Sequence, residues 1–331
     1  MGLKIIKWLI WLALALVLFN VVINNAKSHC ECDKEHVEDA VSKTADEAKT
    51  TKLVVADVKE STKHEEVSHD EHKVVADSVV VEQRANLAKN TDAKGFGPQS
   101  PRDIDSLTGE NNRKFITAPA YEDMNLCNIH FHKNAEHKGG EFTSYAGNGD
   151  GKGYLSGYKY DGSLTVSELL APEGNICPSK HGALLSGDTI EVHYVHSTAN
   201  VTPGPTLGSC LSDSIKNPQL RVETQVYVLV NDKDALDFKE LTKHGIKNGF
   251  NQALNIPANT GKPVQYAGST TGPGYNEKGS PFQVSWSVRP KVAKVNIDTV
   301  GEWCKGNTFK EDHAHGVRNL VINPKLLSTI E

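Results

Sequence analysis

The chain has 331 residues, with 36 Lys and Arg against 41 Asp and Glu and a formal net charge of −5. That acidic balance, with no basic stripe interleaved with aromatics, argues against a nucleic-acid partner. The length allows one large domain or two small ones.

In chain order, Lys4 and Lys7 precede the apolar run WLIWLALALVLF at 8–19. Positive charge ahead of a long apolar stretch reads as a signal peptide or signal anchor over residues 1–28. No A-x-A site follows, which fits an uncleaved membrane anchor, with a cleaved signal as the alternative. Either way the rest of the chain is exported, to a periplasmic or extracellular location. Export suggests disulfides among Cys127, Cys177, Cys210 and Cys304, whose three pairings the sequence leaves open. Cys30 and Cys32 form a separate C-x-C, read as an interchain or adventitious thiol pair.

Residues 29–94 read as a charged helical or disordered stalk. They are free of aromatics from 33 to 93, and VVAD at 54–57 returns at 74–77. Helical spacing is partial and no heptad persists, although the stalk could still carry a homo-oligomer. His36, His64, His69 and His72 lie among acidic residues there, as in a solvated spacer.

A domain over 95–331 is expected to be mainly β with a few short helices. The segments NIHFH (128–132), TIEVHYVHS (189–197), LRVETQVYVLV (220–230) and FQVSWSVRP (282–290) alternate as strands do, between turns rich in Gly and Pro. The best helix candidate is KDALDFKELTKHG at 233–245.

Successive strand side chains face opposite ways. Asn128, His130 and His132 therefore share one face, with Ile129 and Phe131 on the other. On the second strand Glu191, His193 and Val195 share a face opposite Ile190, Val192 and Tyr194, and His196 lies on the face away from His193. Three imidazoles from two strands suit catalytic zinc, which takes three protein ligands and keeps one position open. Asn128 and Glu191, each two residues before a histidine, can hold the free ring nitrogens. His137 reads as a surface residue.

These residues carry a resemblance. HFH and IEVHYVH resemble the zinc site of α-class carbonic anhydrases, and GPQSPRDID (97–105) is similar to that family's Q-S-P-[IV]-[DN]-I signature. YAGSTTGPGYNEKGSPFQVSWSV (266–288) resembles its Y-x-x-G-S-L-T-T-P-P…W segment. The short spacing in HFHKNAEH and the closing EWCKGN…EDHAHGVRNLV are more similar to the δ-class carbonic anhydrases and their carbonic-anhydrase-like relatives. The likeness runs over about Gly97–Leu327.

The resemblance implies a central, mostly antiparallel sheet and reversible hydration of carbon dioxide to bicarbonate and a proton by zinc-bound hydroxide. It implies Zn2+ on His130, His132 and His193, with Asn128 and Glu191 behind them. Thr270 would orient the hydroxide by donating its proton to Glu136. Val195, Val222, Trp286 and Thr271 would hold carbon dioxide, and Tyr266 would join the hydrogen-bond network. The α-class carries a proton-shuttling histidine between Q-S-P and H-x-H, and residues 102–129 contain none. His137, His181, His313 and His315 are the remaining shuttle candidates, with none assigned.

Two other readings compete. His130, His132, Glu136 and His193 also fit a cupin-type metalloenzyme, in which Glu136 would be a ligand. Against it, Met124 stands where a cupin has glycine, and GDTIEVH (187–193) lacks the expected Pro and Gly. A membrane-tethered, non-catalytic binding or structural module is the third.

Overall fold

β-branched and aromatic residues alternate with polar ones along five stretches, and these become the strands of one sheet. A computed structural model describes residues 74–106, 108–270 and 275–328, which all fall within one compact unit. The strands are β1 (Asn125–Lys133), β2 (Thr189–Ser197), β3 (Leu220–Val230), β4 (Val264–Ala267) and β5 (Val284–Asn296). Their order across the sheet is β1-β2-β3-β5-β4. All neighbours are antiparallel except β3 and β5, which run parallel. A parallel pair needs a long connection, supplied here by residues 231–283. The mainly β, mostly antiparallel architecture is the one expected.

Register places the site. His130 lies opposite His193, and His193 opposite Thr224. The next row runs Asn128, Val195, Val222, Trp286 and Tyr266 across all five strands. Directly opposed residues share a face, so imidazoles and an apolar wall stand side by side. The reverse face buries Ile129, Phe131, Val192 and Tyr194 against Phe238, Val300 and Trp303 in the main core. A one-residue slip of β1 would send its histidines into that core, so the apolar face fixes the register.

Two helices close over this core. Asp237 caps α2 (Phe238–Leu241), and Asn296 caps α3 (Ile297–Cys304), each accepting a backbone N–H within the first turn. The helix expected over 233–245 is thus a single turn. The chain after it enters a hairpin, His244–Lys247 against Phe250–Ala253. Disulfides Cys127–Cys210 and Cys177–Cys304 settle the pairing and fit an oxidising compartment.

A longer helix, Asp77–Thr91, lies N-terminal to the strands, inside the stretch read as stalk. As the first helix in the chain it is α1 in strict order, and α2 and α3 follow it. Its composition holds no Gly or Pro, and Asp77 and Lys89 suit the helix dipole at their respective ends. Val80, Leu87 and Thr91 are buried, and Leu87 packs with Val321, Leu326 and Leu327. Gln83 donates to Gly151 O at 2.5 Å and accepts from Asn319 at 2.7 Å, while Arg84 donates to Leu320 O at 3.1 Å. The folded unit therefore extends N-terminal to the expected boundary at 95. A chain beginning at residue 92 should unfold at lower temperature than one beginning at 74. Burial of Val80 and Leu87 alone contributes up to about 3–6 kcal/mol. Equal thermal midpoints would show that the helix contributes nothing.

The expected membrane segment, Cys30, Cys32 and the stalk up to residue 73 lie outside the described residues. Among the described residues no helix is long and apolar enough to cross a membrane.

Candidate metal centre

The three histidines converge. Ligand atoms of His130, His132 and His193 all lie within 4.8 Å of one another. The other nitrogen of each ring is held. His130 Nδ1 meets Asn128 Oδ1 at 2.7 Å, and the Asn128 amide donates to Gly204 O at 3.1 Å, which orients its oxygen toward the imidazole. His132 Nδ1 meets Gly316 O at 2.8 Å, and His193 Nε2 meets Glu191 Oε1 at 2.5 Å. Carbonyl and carboxylate oxygens only accept, so each of these ring nitrogens carries the proton.

The inward nitrogens are then lone pairs. His130 Nε2 and His193 Nδ1 face each other at 3.2 Å, and His132 Nε2 is buried without a hydrogen-bond partner. Two lone pairs at that distance repel unless a cation lies between them. Burial first, then the neighbouring imidazoles, holds His130 well below its usual range. Burial likewise brings His132 down to about 3, although Glu136 pulls it upward. Neutral, pinned, converging imidazoles are the donor set of a transition-metal site with an open position. The residues present fit such an ion.

Behind His193 runs a buried relay. Glu191 also accepts from His137, at 2.9 Å from the backbone N–H and 2.7 Å from Nδ1. His137 Nε2 lies 2.7 Å from the Tyr266 hydroxyl, which lies 2.5 Å from Ser100 Oγ. With His137 neutral the chain runs one way: His137 donates to Glu191, Tyr266 to His137, and Ser100 to Tyr266. Burial alone would raise the Glu191 pKa, but His137 and His193 hold it well below the carboxylate range. The expectation of a surface His137 is corrected, since its side chain is wholly buried. Tyr266 joins the network as expected.

Glu136 and Thr270 both line the metal cavity but make no hydrogen bond to each other among those described. Glu136 Oε1 accepts from Arg102 Nε at 3.1 Å, and Oε2 from the Arg318 backbone N–H at 3.0 Å. Arg102 Nη2 also reaches Thr270 Oγ1, at 3.4 Å. The direct threonine-to-glutamate bond that the resemblance implied is thus replaced by a shared guanidinium. Burial raises the Glu136 pKa, yet Arg102, His132 and Arg318 outweigh it and hold the group at about 2. Glu136 is no part of the converging ligand set, which removes the geometric basis of the cupin reading.

The cavity beside the histidines measures about 80 Å³ and is walled by Val195, Val222, Val284 and Trp286. That is room for a few water-sized molecules, not for an extended organic substrate. The Trp286 N–H is taken by Gly268 O at 2.6 Å, so the ring turns only apolar surface inward. Thr271 lies outside the described residues.

The remaining histidines scatter. His181 stacks on Tyr154 at 3.4 Å between ring centroids. His315 lies edge-on to His130 at 5.6 Å and bonds Glu311 at 2.6 Å, with the half-buried His313 at 5.9 Å beyond it.

The chain is similar to known proteins. A family model described as Delta carbonic anhydrase matches residues 121–299. No curated protein matches the sequence. Among solved structures, the α-carbonic anhydrase of Aspergillus oryzae aligns at 16% identity and a TM-score of 0.23, over 44% of this chain and 56% of that one. The α-carbonic anhydrase of Thermovibrio ammonificans, in complex with the inhibitor sulfanilamide, aligns at 16% identity and 0.24, over 67% and 84%. That of Photobacterium profundum gives 16% and 0.24, over 69% and 88%. The family match covers more than half of the chain and takes in all three converging histidines, and on that ground the chain belongs to the delta carbonic anhydrase family.

Proposed function

We propose that this chain catalyses the zinc-dependent, reversible hydration of carbon dioxide to bicarbonate and a proton. One observation carries the reading: three neutral imidazole nitrogens converge, each with its ring partner pinned, on a small cavity with an apolar wall. His130, His132 and His193 would hold the ion. When bound, zinc supplies a nucleophilic oxygen at neutral pH by lowering the pKa of water from 15.7 to about 7.

The other residues position and exclude. Asn128, Gly316 and Glu191 keep each inward nitrogen deprotonated and aimed. Val195, Val222 and Trp286 offer carbon dioxide a surface without competing hydrogen bonds, so it is held by shape and dispersion. The hydroxyl of Thr270, on the polar side of the cavity, would orient an oxygen of substrate or product. The released proton passes to buffer.

The apolar N-terminal run and the two disulfides support an exported protein, tethered to a membrane if the segment is retained. The charged residues before the domain would form a spacer and a surface for self-association. Oxygen-isotope exchange at chemical equilibrium tests the reading: the chain should speed loss of 18O from labelled bicarbonate. Loss at the uncatalysed rate would sink it.

A further inference from the structure

A second cavity, larger than the one beside the histidines, opens between α1 and the segments 145–158 and 318–320, at about 220 Å³ against about 80 Å³. At roughly 30 Å³ per water it is room for about seven waters, or for one small organic molecule. Two guanidinium groups line it. Arg84, half-buried on α1, donates from Nε to Leu320 O at 3.1 Å and pairs with no carboxylate among the described residues. Arg318 comes from the body of the domain, its Nη1 3.8 Å from Glu136 Oε2. Among the described residues Asp77 is the one carboxylate on the wall, and it already accepts from the Asn148 amide at 2.8 Å. Positive charge outweighs negative in this cleft.

The walls narrow the ligand. The Nη nitrogens of Arg84 offer the planar fork that fits a carboxylate with two parallel bonds. Burial first, then Tyr145, pushes the Tyr158 hydroxyl up to about 12, although Arg84 pulls it down. This hydroxyl therefore keeps its proton and can donate. Val80, Leu320 and the Tyr145 ring add apolar surface, and the Tyr145 hydroxyl is already given to Asn148 Oδ1 at 2.8 Å. A phosphate against those walls would leave charged oxygens without partners, which is costly. A carboxylate carried on an apolar body would not. We infer that this cleft binds a small organic monocarboxylate, its carboxylate on Arg84 and the Tyr158 hydroxyl and its apolar body on Val80, Leu320 and the Tyr145 ring. Helix and domain both contribute, so the ligand also ties α1 to the rest of the folded unit. Binding here is independent of carbon dioxide hydration.

The test titrates the full, zinc-loaded chain with benzoate, and with benzamide as its neutral counterpart, by calorimetry, and follows the thermal midpoint at each concentration. Benzoate should bind and raise the midpoint as its concentration rises, because a ligand of the folded state stabilises it by mass action. Benzamide should do neither. Arg84→Met should weaken benzoate ~10–100-fold, the range for one hydrogen bond to a charged group. Arg84→Lys should weaken it less, since the charge stays while the fork is lost. The Arg84 variants discriminate where Arg318 variants would not, because Arg318 lines the metal cavity as well. Binding should persist in the metal-free chain, which separates this cleft from the metal centre.

No binding of benzoate to the wild type would overturn the inference, as would unchanged affinity in Arg84→Met or benzamide binding as tightly as benzoate. Loss of benzoate binding along with the metal would place the anion on the histidines and overturn it too. So would inorganic phosphate or bicarbonate binding more tightly than benzoate, since the apolar walls would then contribute nothing.

Discussion

His193→Ala is expected to lose metal and hydration activity together while the domain stays folded. His193 supplies one of three inward nitrogens, and the other two alone leave the cluster with an incomplete set. Removing a group that merely orients a ligand costs ~10–100-fold in metal affinity, so removing the ligand should cost more. The fold should survive because β2 is paired along its whole length by β1 and β3. Glu191 also keeps His137 as a partner on both oxygens. Elemental mass spectrometry alongside circular dichroism reads both effects. Full zinc occupancy in the folded variant would take His193 out of the site.

Glu136→Gln is expected to keep zinc and lose turnover, where a metal-ligating glutamate would lose both. Glutamine offers one acceptor where the carboxylate offers two, so Arg102 or the Arg318 amide loses its partner. The Thr270 hydroxyl shifts with Arg102, and a fall of ~10²–10⁴-fold, the range for positioned proton-handling groups, is expected. Stability should change in a pH-dependent way. The Glu136 pKa is held at about 2 in the fold, below its ordinary 4.5. Its contribution is thus fully present above pH 4.5 and is lost as pH falls through 2. In size it is of order 3 kcal/mol. The glutamine variant should be less stable at neutral pH and should lack this component of acid unfolding. Zinc lost on Glu136→Gln, or an unchanged acid profile, would contradict the placement of Glu136.

Much of this centre was legible because strand periodicity is strict. Asn128, His130 and His132 alternate with Ile129 and Phe131, and one buried face leaves no choice of register. The same holds for Glu191, His193 and Val195. What stayed hidden had no side-chain signal or depended on contacts distant in sequence. The partner of His132 is a backbone carbonyl at Gly316, invisible to any residue pattern. His137 sits in a loop that gave no periodicity, so its burial against Tyr266 and Glu191 could not be read. Arg102 follows a recognisable Q-S-P, but a buried charge in place of an apolar residue shows its purpose only once Glu136 and Thr270 are beside it. The helix Asp77–Thr91 looked like spacer because its buried stripe is narrow, three residues in four turns, and its partners, Gly151 and residues 319–327, are distant in sequence. Likewise the cysteine pairing and the parallel β3–β5 contact follow from topology rather than from local sequence.

The most direct measurement is a zinc titration of the metal-free chain, with carbon dioxide hydration followed by stopped flow at each addition. The rate should rise in proportion to added zinc and break at one equivalent per chain, with no gain in the His193→Ala variant. A chain that binds its equivalent of zinc and still leaves hydration at the uncatalysed rate would contradict the proposed function.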